Sequence, residues 1–180
     1  MLMRAEDSSL LIVDVQQNLA PVMAEPRPVY RNCALLMQAA ARLAVPVTVS
    51  EQYPKGLGAT VGELAMLAPQ GAVLEKLHFS CAADDAILAR LRGFQRPQVV
   101  IAGIEAHVCV LQSALGLQQA GFQVFVAIDA CSSRAPANHL LAQQRLAAAG
   151  IGVVATEMVV FEWLGVAGTA QFKDLVKLIK

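Results

Sequence analysis

The chain has 180 residues, of which 56% are hydrophobic and 16% are charged. This length suits one compact core, and we predict a single domain over residues 1–180. Fourteen basic residues balance fourteen acidic ones, so there is no surplus of positive charge to attract nucleic acid or an anionic membrane surface. Apolar runs also stay well short of the ~20 residues that span a bilayer. We therefore expect a soluble protein without nucleic-acid or membrane partners.

The N-terminal residues and the cysteines bear on the cellular location of the protein. Two acidic residues precede an apolar run that ends in Asp14, which differs from the basic, apolar, small-residue order of a secretory signal and favours a cytoplasmic location. The four cysteines are widely separated and form no Cys-x-x-Cys pair, which favours free thiols.

The charged fraction of the chain lies below the ~25% usual for a soluble domain. We therefore expect a homo-oligomer whose subunits cover part of each other's surface.

Six short segments rich in β-branched residues predict strands. The first is a continuous apolar run closed by Asp14, a pattern typical of a central parallel strand that is buried on both faces. The predicted strands cover residues 10–14, 45–50, 72–76, 98–102, 123–128 and 152–155.

Segments with helical spacing alternate with these strands. They cover residues 29–43, 84–91, 108–120, 138–149 and 171–179. Gly121 and Gly150 each follow an Ala-rich segment and precede a strand, where a left-handed helix cap favours glycine. The alternation predicts an α/β fold in which helices cover both faces of a parallel sheet.

Residues 52–70 break this alternation, because prolines and glycines surround one short apolar stretch there. We predict a long functional or interface loop. In a doubly wound sheet, ligands bind beyond the carboxyl ends of the strands. The residues that close each strand are therefore the candidates for chemistry.

Three residues at or shortly after these strand ends could form a nucleophilic site. Asp14 closes the first predicted strand, Lys76 closes the third, and Cys109 begins the helix after the fourth. A free thiol has a pKa near ~8.5. A nearby ammonium and a helix N-terminus favour the thiolate, and a carboxylate can accept the thiol proton as substrate binds. Taken singly, Asp14 is as often a loop-fixing acceptor, Lys76 is more often a solvated lysine, and Cys109 is most often a small core residue.

Four sequence segments resemble the isochorismatase-like cysteine hydrolases in order and spacing. They are Leu11-Ile-Val-Asp-Val-Gln-Gln17, Glu75-Lys76 followed by Phe79-Ser80, Ala102-Gly-Ile-Glu-Ala-His-Val-Cys-Val110, and Asp129-Ala-Cys-Ser-Ser-Arg134. The resemblance covers nearly the whole chain. Within the family, residues 52–58 and 103–109 are most similar to small bacterial hydrolases of unassigned substrate and to isochorismatase-domain relatives.

The resemblance implies a more detailed fold and site. It implies a three-layer α/β/α sandwich with a doubly wound, mainly parallel six-stranded sheet of order 3-2-1-4-5-6. It assigns Asp14 as base, Lys76 as electrostatic stabiliser and Cys109 as the nucleophile that forms an acyl-enzyme. It also implies a cis peptide bond between Ile104 and Glu105, which turns the Glu105 amide to join the Cys109 amide in an oxyanion hole.

Departures from better-known members narrow the substrate class. Members that hydrolyse isochorismate lack the nucleophilic cysteine, so Cys109 favours a small amide or a related C–N bond as substrate. Members that hydrolyse nicotinamide bind a metal through an Asp-x-His motif between the first two triad residues. Here that segment contains no histidine, so we expect neither a metal nor another cofactor. Ala106 stands where many relatives have threonine, and no effect is assigned to it.

Other residues are given roles from their position alone. Gln16, Phe79 and Glu105 are expected to bind the substrate, whereas Asp129 and Arg134 are expected to fix the loop after the fifth strand.

A catalytically quiet protein is the alternative to the hydrolase. It would be an oligomeric ligand-binding or redox-responsive protein that retains the triad. In either case the resemblance implies an even-numbered homo-oligomer, from dimer to octamer.

Overall fold

The computed structural model describes residues 1–179 and contains one sheet of six parallel strands. In space the strands follow the order β3-β2-β1-β4-β5-β6, which confirms the predicted topology. The strands are β1 (Ser8–Val13), β2 (Val47–Gln52), β3 (Val73–Lys76), β4 (Gln98–Ile104), β5 (Gln123–Ser132) and β6 (Gly152–Val154). β1 pairs with both β2 and β4, and all of its residues are buried, as its continuous apolar sequence predicts.

Helices cover both faces of this sheet. They are α1 (Pro26–Arg42), α2 (Pro54–Leu57), α3 (Gly62–Ala65), α4 (Asp85–Gly93), α5 (Leu111–Gln119), α6 (Pro136–Ala148), α7 (Thr156–Leu164) and α8 (Ala170–Ile179). Apolar residues of α1, α7 and α8 pack on one face of the sheet. Those of α4, α5 and α6 pack on the other, which confirms the three-layer α/β/α sandwich.

Helix α7 has no counterpart among the predicted helices. Its buried residues Val159, Val160 and Trp163 have helical spacing and face the core. On its outer side, however, Met158 and Phe161 are 49% and 40% exposed. Because apolar side chains occur on both sides of the helix, the periodicity that marks an amphipathic helix is weak in this segment.

The segment predicted as a long loop contains some regular structure. Its first residue, Gln52, is the last residue of β2, and the remainder contains the short helices α2 and α3. The Glu51 side chain fastens this segment to the sheet, because its Oε1 accepts hydrogen bonds from the Thr60 amide and hydroxyl, both at 2.7 Å. The turn residues therefore connect two short helices, the second of which packs against α1.

Gly103 allows β4 to approach the end of β1. Its φ is +124°, and a Cβ atom there would lie 2.1 Å from the Val13 carbonyl oxygen. The pairing of β4 with β5 is also irregular between Ile101 and Gly103. Only glycine accommodates both this backbone conformation and this contact. The close approach brings the segment after β4 next to Asp14.

Candidate active site

Asp14 follows β1 and is completely buried at the carboxyl edge of the sheet. Its φ is +53°, an uncommon value for a residue other than glycine. Both carboxylate oxygens accept hydrogen bonds at 2.7 Å, Oδ1 from Ser50 Oγ and Oδ2 from Lys76 Nζ. The carboxylate is therefore held in a fixed orientation.

Lys76 closes β3, and its ammonium group has three hydrogen-bond acceptors. Nζ donates to Asp14 Oδ2 and to Gln52 Oε1, both at 2.7 Å, and to the Phe79 carbonyl at 3.3 Å. An ammonium group has three donors, so each is satisfied although the residue is only 2% exposed. This arrangement keeps a buried positive charge beside Asp14.

For both Asp14 and Lys76, burial shifts the pKa in one direction and the neighbouring charges shift it in the other. Burial raises the pKa of the Asp14 carboxyl, while the charge and hydrogen bonds of its neighbours oppose that rise. Burial alone lowers the pKa of Lys76, but nearby acidic groups, Asp14 first, outweigh it and leave the pKa of the ammonium raised. Asp14 is consequently a stronger base than an ordinary carboxylate, and Lys76 stays charged.

Cys109 lies on a π-helical turn, Ala106–Val110, which runs directly into α5. The predicted helix thus begins two residues earlier than expected. The residue is 5% exposed and lies near enough to Asp14 for the carboxylate charge to affect its pKa. Burial, followed by the negative charge of Asp14, raises the pKa of the Cys109 thiol although Lys76 opposes the shift. The resting residue is therefore a thiol, which favours proton transfer to Asp14 upon substrate binding over a standing thiolate.

Glu105 connects the site to the loop after β5. The peptide bond between Ile104 and Glu105 is cis, the bond for which the resemblance implies this conformation. The Glu105 carboxylate accepts hydrogen bonds from the Arg134 amide at 3.0 Å and from Arg134 Nε at 3.2 Å. Arg134 therefore fixes the loop, as expected, by holding the side chain that was predicted to bind substrate.

Asp129, the other predicted loop-fixing residue, holds the start of α7. Its Oδ1 accepts hydrogen bonds from the Thr156 amide at 2.7 Å and from the Thr156 hydroxyl at 2.9 Å. The residue therefore ties the end of β5 to the segment after β6.

Gln16 occupies a different position from the one expected of a substrate ligand. It is completely buried. Its Nε2 donates to the Gln52 and Gly58 carbonyls at 3.0 and 2.7 Å, and its Oε1 accepts from the Gln52 amide at 2.7 Å. These bonds use the side chain to position the segment after β2. Phe79, in contrast, is 55% exposed, and its carbonyl holds Lys76.

Three residues around the triad were not predicted from the sequence. Ser50 and Gln52 lie two apart on β2 and contact Asp14 and Lys76, respectively. Cys81 contacts Ser50, with Sγ 3.5 Å from Ser50 Oγ. The period of two along a strand was the available signal, because β2 was predicted between the strands that carry Asp14 and Lys76.

An open cavity of about 500 Å³ adjoins the site. Lys76 is the triad residue that lines it, and charged and apolar side chains form the rest of its wall. Its lining residues are Tyr53, Pro54, Lys55, Glu75, Lys76, Leu77, His78 and Asp84. Within residues 1–179, no group of three or more His, Cys, Asp or Glu side chains is arranged to hold a metal ion. Over the same residues, no helix is both long and apolar enough to cross a membrane.

The sequence and the fold correspond to a known family. The model of the Isochorismatase domain matches residues 8–158. Isochorismatase domain-containing protein 1 of Danio rerio is 36% identical over 169 residues, which cover 93% of this chain. The chain spans only 59% of the length of that relative.

Two further comparisons cover the chain almost completely. The secreted isochorismatase effector Isc1 of Phytophthora sojae is 34% identical over 177 residues, 96% of this chain and 84% of that protein. The structure of MAR1 ribonuclease from Caenorhabditis elegans superposes with a TM-score of 0.93 at 31% identity, covering 99% of this chain and 92% of the other. The chain therefore belongs to the isochorismatase family.

Proposed function

We propose that this protein is a hydrolase that cleaves a small amide or a related C–N bond through a covalent intermediate on Cys109. One observation supports the proposal most strongly: the buried Asp14 carboxylate accepts a 2.7 Å hydrogen bond from Lys76 and lies near the turn that carries Cys109, whose thiol pKa its charge raises. A base beside a thiol activates a cysteine nucleophile, and the fixed positive charge of Lys76 stabilises the negative charge that forms.

The first half of the reaction forms an acyl-enzyme. Asp14 accepts the proton of the Cys109 thiol, and the sulfur attacks the substrate carbonyl carbon. The backbone amides of Glu105 and Cys109 stabilise the resulting oxyanion. The intermediate collapses as the C–N bond breaks, and protonated Asp14 gives its proton to the departing nitrogen.

The second half releases the acid and restores the enzyme. Asp14, again a carboxylate, accepts a proton from water as the oxygen attacks the thioester carbonyl. The C–S bond breaks, and Asp14 returns the proton to the sulfur. Lys76 keeps its charge throughout, because all three of its donors are bonded within the protein.

A small substrate is favoured by the cavity next to Lys76 and by the burial of Cys109, which does not itself line that cavity. The cavity of about 500 Å³ lies within the range for small-molecule sites, and Cys109 itself is 5% exposed. Lys55 and Glu75 bring both signs of charge to the cavity wall, which suits a neutral polar group such as an amide.

Ammonia release from a panel of small aliphatic and aromatic primary amides tests the proposal. We expect the wild type to hydrolyse at least one amide and Cys109→Ala to lose at least ~10³-fold in rate. Cys33→Ala is the matched control, because Cys33 is equally enclosed but packs on the opposite face of the sheet. A Cys109→Ala variant with wild-type turnover would rule out the mechanism. Binding of the amides without turnover would favour the quiet ligand-binding alternative.

We propose a small-molecule substrate in preference to RNA. The Caenorhabditis elegans relative is described as a ribonuclease. In this chain, however, fourteen basic residues are balanced by fourteen acidic ones, which gives no excess of positive charge for a phosphate backbone. Labelled RNA is expected to survive incubation with the wild type. Cleavage that depends on Cys109 would contradict this expectation.

We also propose an even-numbered homo-oligomer, from dimer to octamer, that works in the cytoplasm without a cofactor. Tyr53, Leu77 and Phe79 are 53%, 74% and 55% exposed near the edge strand β3, which supports burial of this surface by another subunit. Light scattering that detects only monomer at micromolar concentration would contradict the assembly. Because the Phytophthora sojae relative is described as secreted, fractionation of the native cells is needed to test the location.

A further inference from the structure

We propose that Ser50 and Cys81 form a positioning relay that keeps Asp14 ionised and oriented, an inference that rests on the proposed role of Asp14 as the base. The relay is a chain of two hydrogen bonds, from the Cys81 thiol to the Ser50 hydroxyl and from that hydroxyl to Asp14 Oδ1. Neither residue belongs to the triad.

The direction of the chain follows from the number of protons available. A serine hydroxyl has one proton to donate and lone pairs that accept. Ser50 is completely buried and donates that proton to Asp14 Oδ1 at 2.7 Å. Its oxygen accepts from Cys81 Sγ at 3.5 Å. The contact with Cys81 therefore favours the rotamer in which the Ser50 proton faces the carboxylate.

Cys81 is held firmly enough to act in this way. It begins a short 3-10 helix, Cys81–Ala83, and is completely buried. Its amide donates to Ser113 Oγ of α5 at 2.8 Å. Burial, followed by the charge of Asp14, raises the pKa of the Cys81 thiol to about 11, so that the thiol remains a donor at neutral pH.

The relay opposes the rise that burial causes in the pKa of Asp14. The titratable groups that face this carboxyl are Lys76 from β3, Cys109 from the π-helical turn and Cys81 from the 3-10 helix. Lys76 bonds Oδ2 and Ser50 bonds Oδ1, so removal of the Ser50 hydroxyl takes a donor from Oδ1. A buried carboxylate oxygen without a donor favours the protonated form, and a protonated Asp14 cannot accept the proton of Cys109.

Carbon-13 NMR of aspartate-labelled protein measures this effect without a substrate. The Asp14 carboxyl signal is assigned by its loss in Asp14→Asn and is titrated in each variant. We expect Ser50→Ala to raise the Asp14 midpoint by about one to two pH units, and Cys81→Ala to raise it by about half a unit. Cys81→Ser shortens the side chain and withdraws the donor from Ser50, so it is expected to raise the midpoint as Cys81→Ala does.

Cys33→Ala is the matched control for Cys81→Ala. Cys33 is also completely buried, and its Sγ donates across 3.5 Å to the Ala130 carbonyl, away from the triad. Its removal creates a comparable gap and should leave the Asp14 midpoint unchanged. If Ser50→Ala does not fold, the two Cys81 variants test the relay without it.

The proposal is overturned if Cys81→Ala shifts the Asp14 midpoint no more than Cys33→Ala does. A wild-type midpoint in a folded Ser50→Ala variant has the same consequence. Because this titration requires no turnover, its result is independent of whether any amide is hydrolysed. A shifted midpoint in a protein that hydrolyses nothing would support the relay and contradict the proposed activity.

Discussion

Lys76 Nζ lies 2.7 Å from Asp14 Oδ2, and neither side chain is accessible to solvent. Removing one member of such a pair leaves an uncompensated charge in the protein interior. Here the lysine has two further acceptors, Gln52 Oε1 and the Phe79 carbonyl. The pair therefore couples the stability of the site to the basicity of Asp14.

Replacing the buried lysine should affect stability and activity together. We expect Lys76→Met to lower the free energy of unfolding at pH 7 by about 3–5 kcal/mol, because Asp14 loses its paired charge. The pKa of Asp14 should rise further, since Lys76 normally lowers it. Urea denaturation measures the loss. Lys173→Met, at an exposed position on α8, is the control, and equal stability of the two variants would contradict the interpretation.

The pH dependence of Cys109 alkylation should move in opposite directions in two triad variants. Asp14 raises the pKa of Cys109 and Lys76 lowers it. The midpoint for reaction with iodoacetamide, read by peptide mass spectrometry, should therefore fall in Asp14→Asn and rise in Lys76→Met. In the wild type the midpoint should lie above the ~8.5 of an ordinary thiol.

These two variants also separate thiol ionisation from catalysis. Asp14→Asn should ionise Cys109 more readily and yet lose turnover, because the base is absent. An Asp14→Asn variant that alkylates faster and retains full turnover would show that Asp14 is dispensable as the base.

Gly103 should not tolerate a side chain. The Cβ of Gly103→Ala would lie 2.1 Å from the Val13 carbonyl oxygen on a backbone with φ of +124°, and we expect a loss of at least ~3 kcal/mol in the free energy of unfolding. Gly93→Ala is the control, since a Cβ there has no neighbour within 4 Å, and alanine stabilises a helix by up to ~1 kcal/mol. Thermal denaturation of both variants checks the contrast. Similar melting temperatures would argue against the close approach of β4 and β1.

The Glu105 carboxylate should protect the loop after β5 from hydrogen exchange. Glu105→Ala removes the acceptor of the Arg134 amide, which lies 3.0 Å away, so this amide should exchange faster. Arg134→Ala keeps its backbone amide and should change exchange at that position less, although it removes the side-chain bond at 3.2 Å. Exchange measured by mass spectrometry distinguishes the two. Equal exchange would mean that the Arg134 side chain holds the loop.

The fold was predictable from the sequence because the apolar pattern of each strand is local. A continuous apolar run predicted that β1 is central, and the alternation of strands and helices predicted both helical layers. Helix α7 was not predicted, because the apolar side chains of Met158 and Phe161 lie on its exposed side and weaken the amphipathic periodicity. The π-helical turn at Cys109 depends on contacts between distant segments and leaves no local pattern.

The triad residues were predicted from strand ends and from family resemblance, but their partners were not. Ser50, Gln52 and Cys81 act through side-chain contacts across 24 to 36 positions of sequence, which depend on strand register. Gln16 was predicted as a substrate ligand from its proximity to Asp14. The structure instead uses its amide within the protein.

Trapping the covalent intermediate on Cys109 is a direct test of the proposed mechanism. Wild-type protein is mixed with an amide that it hydrolyses, quenched in acid within the first turnover, and digested for peptide mass spectrometry. We expect an acyl adduct on Cys109 in the wild type and in Cys33→Ala, and no adduct in Cys109→Ala. Hydrolysis at an undiminished rate in Cys109→Ala, with no adduct on Cys109 in the wild type, would contradict it.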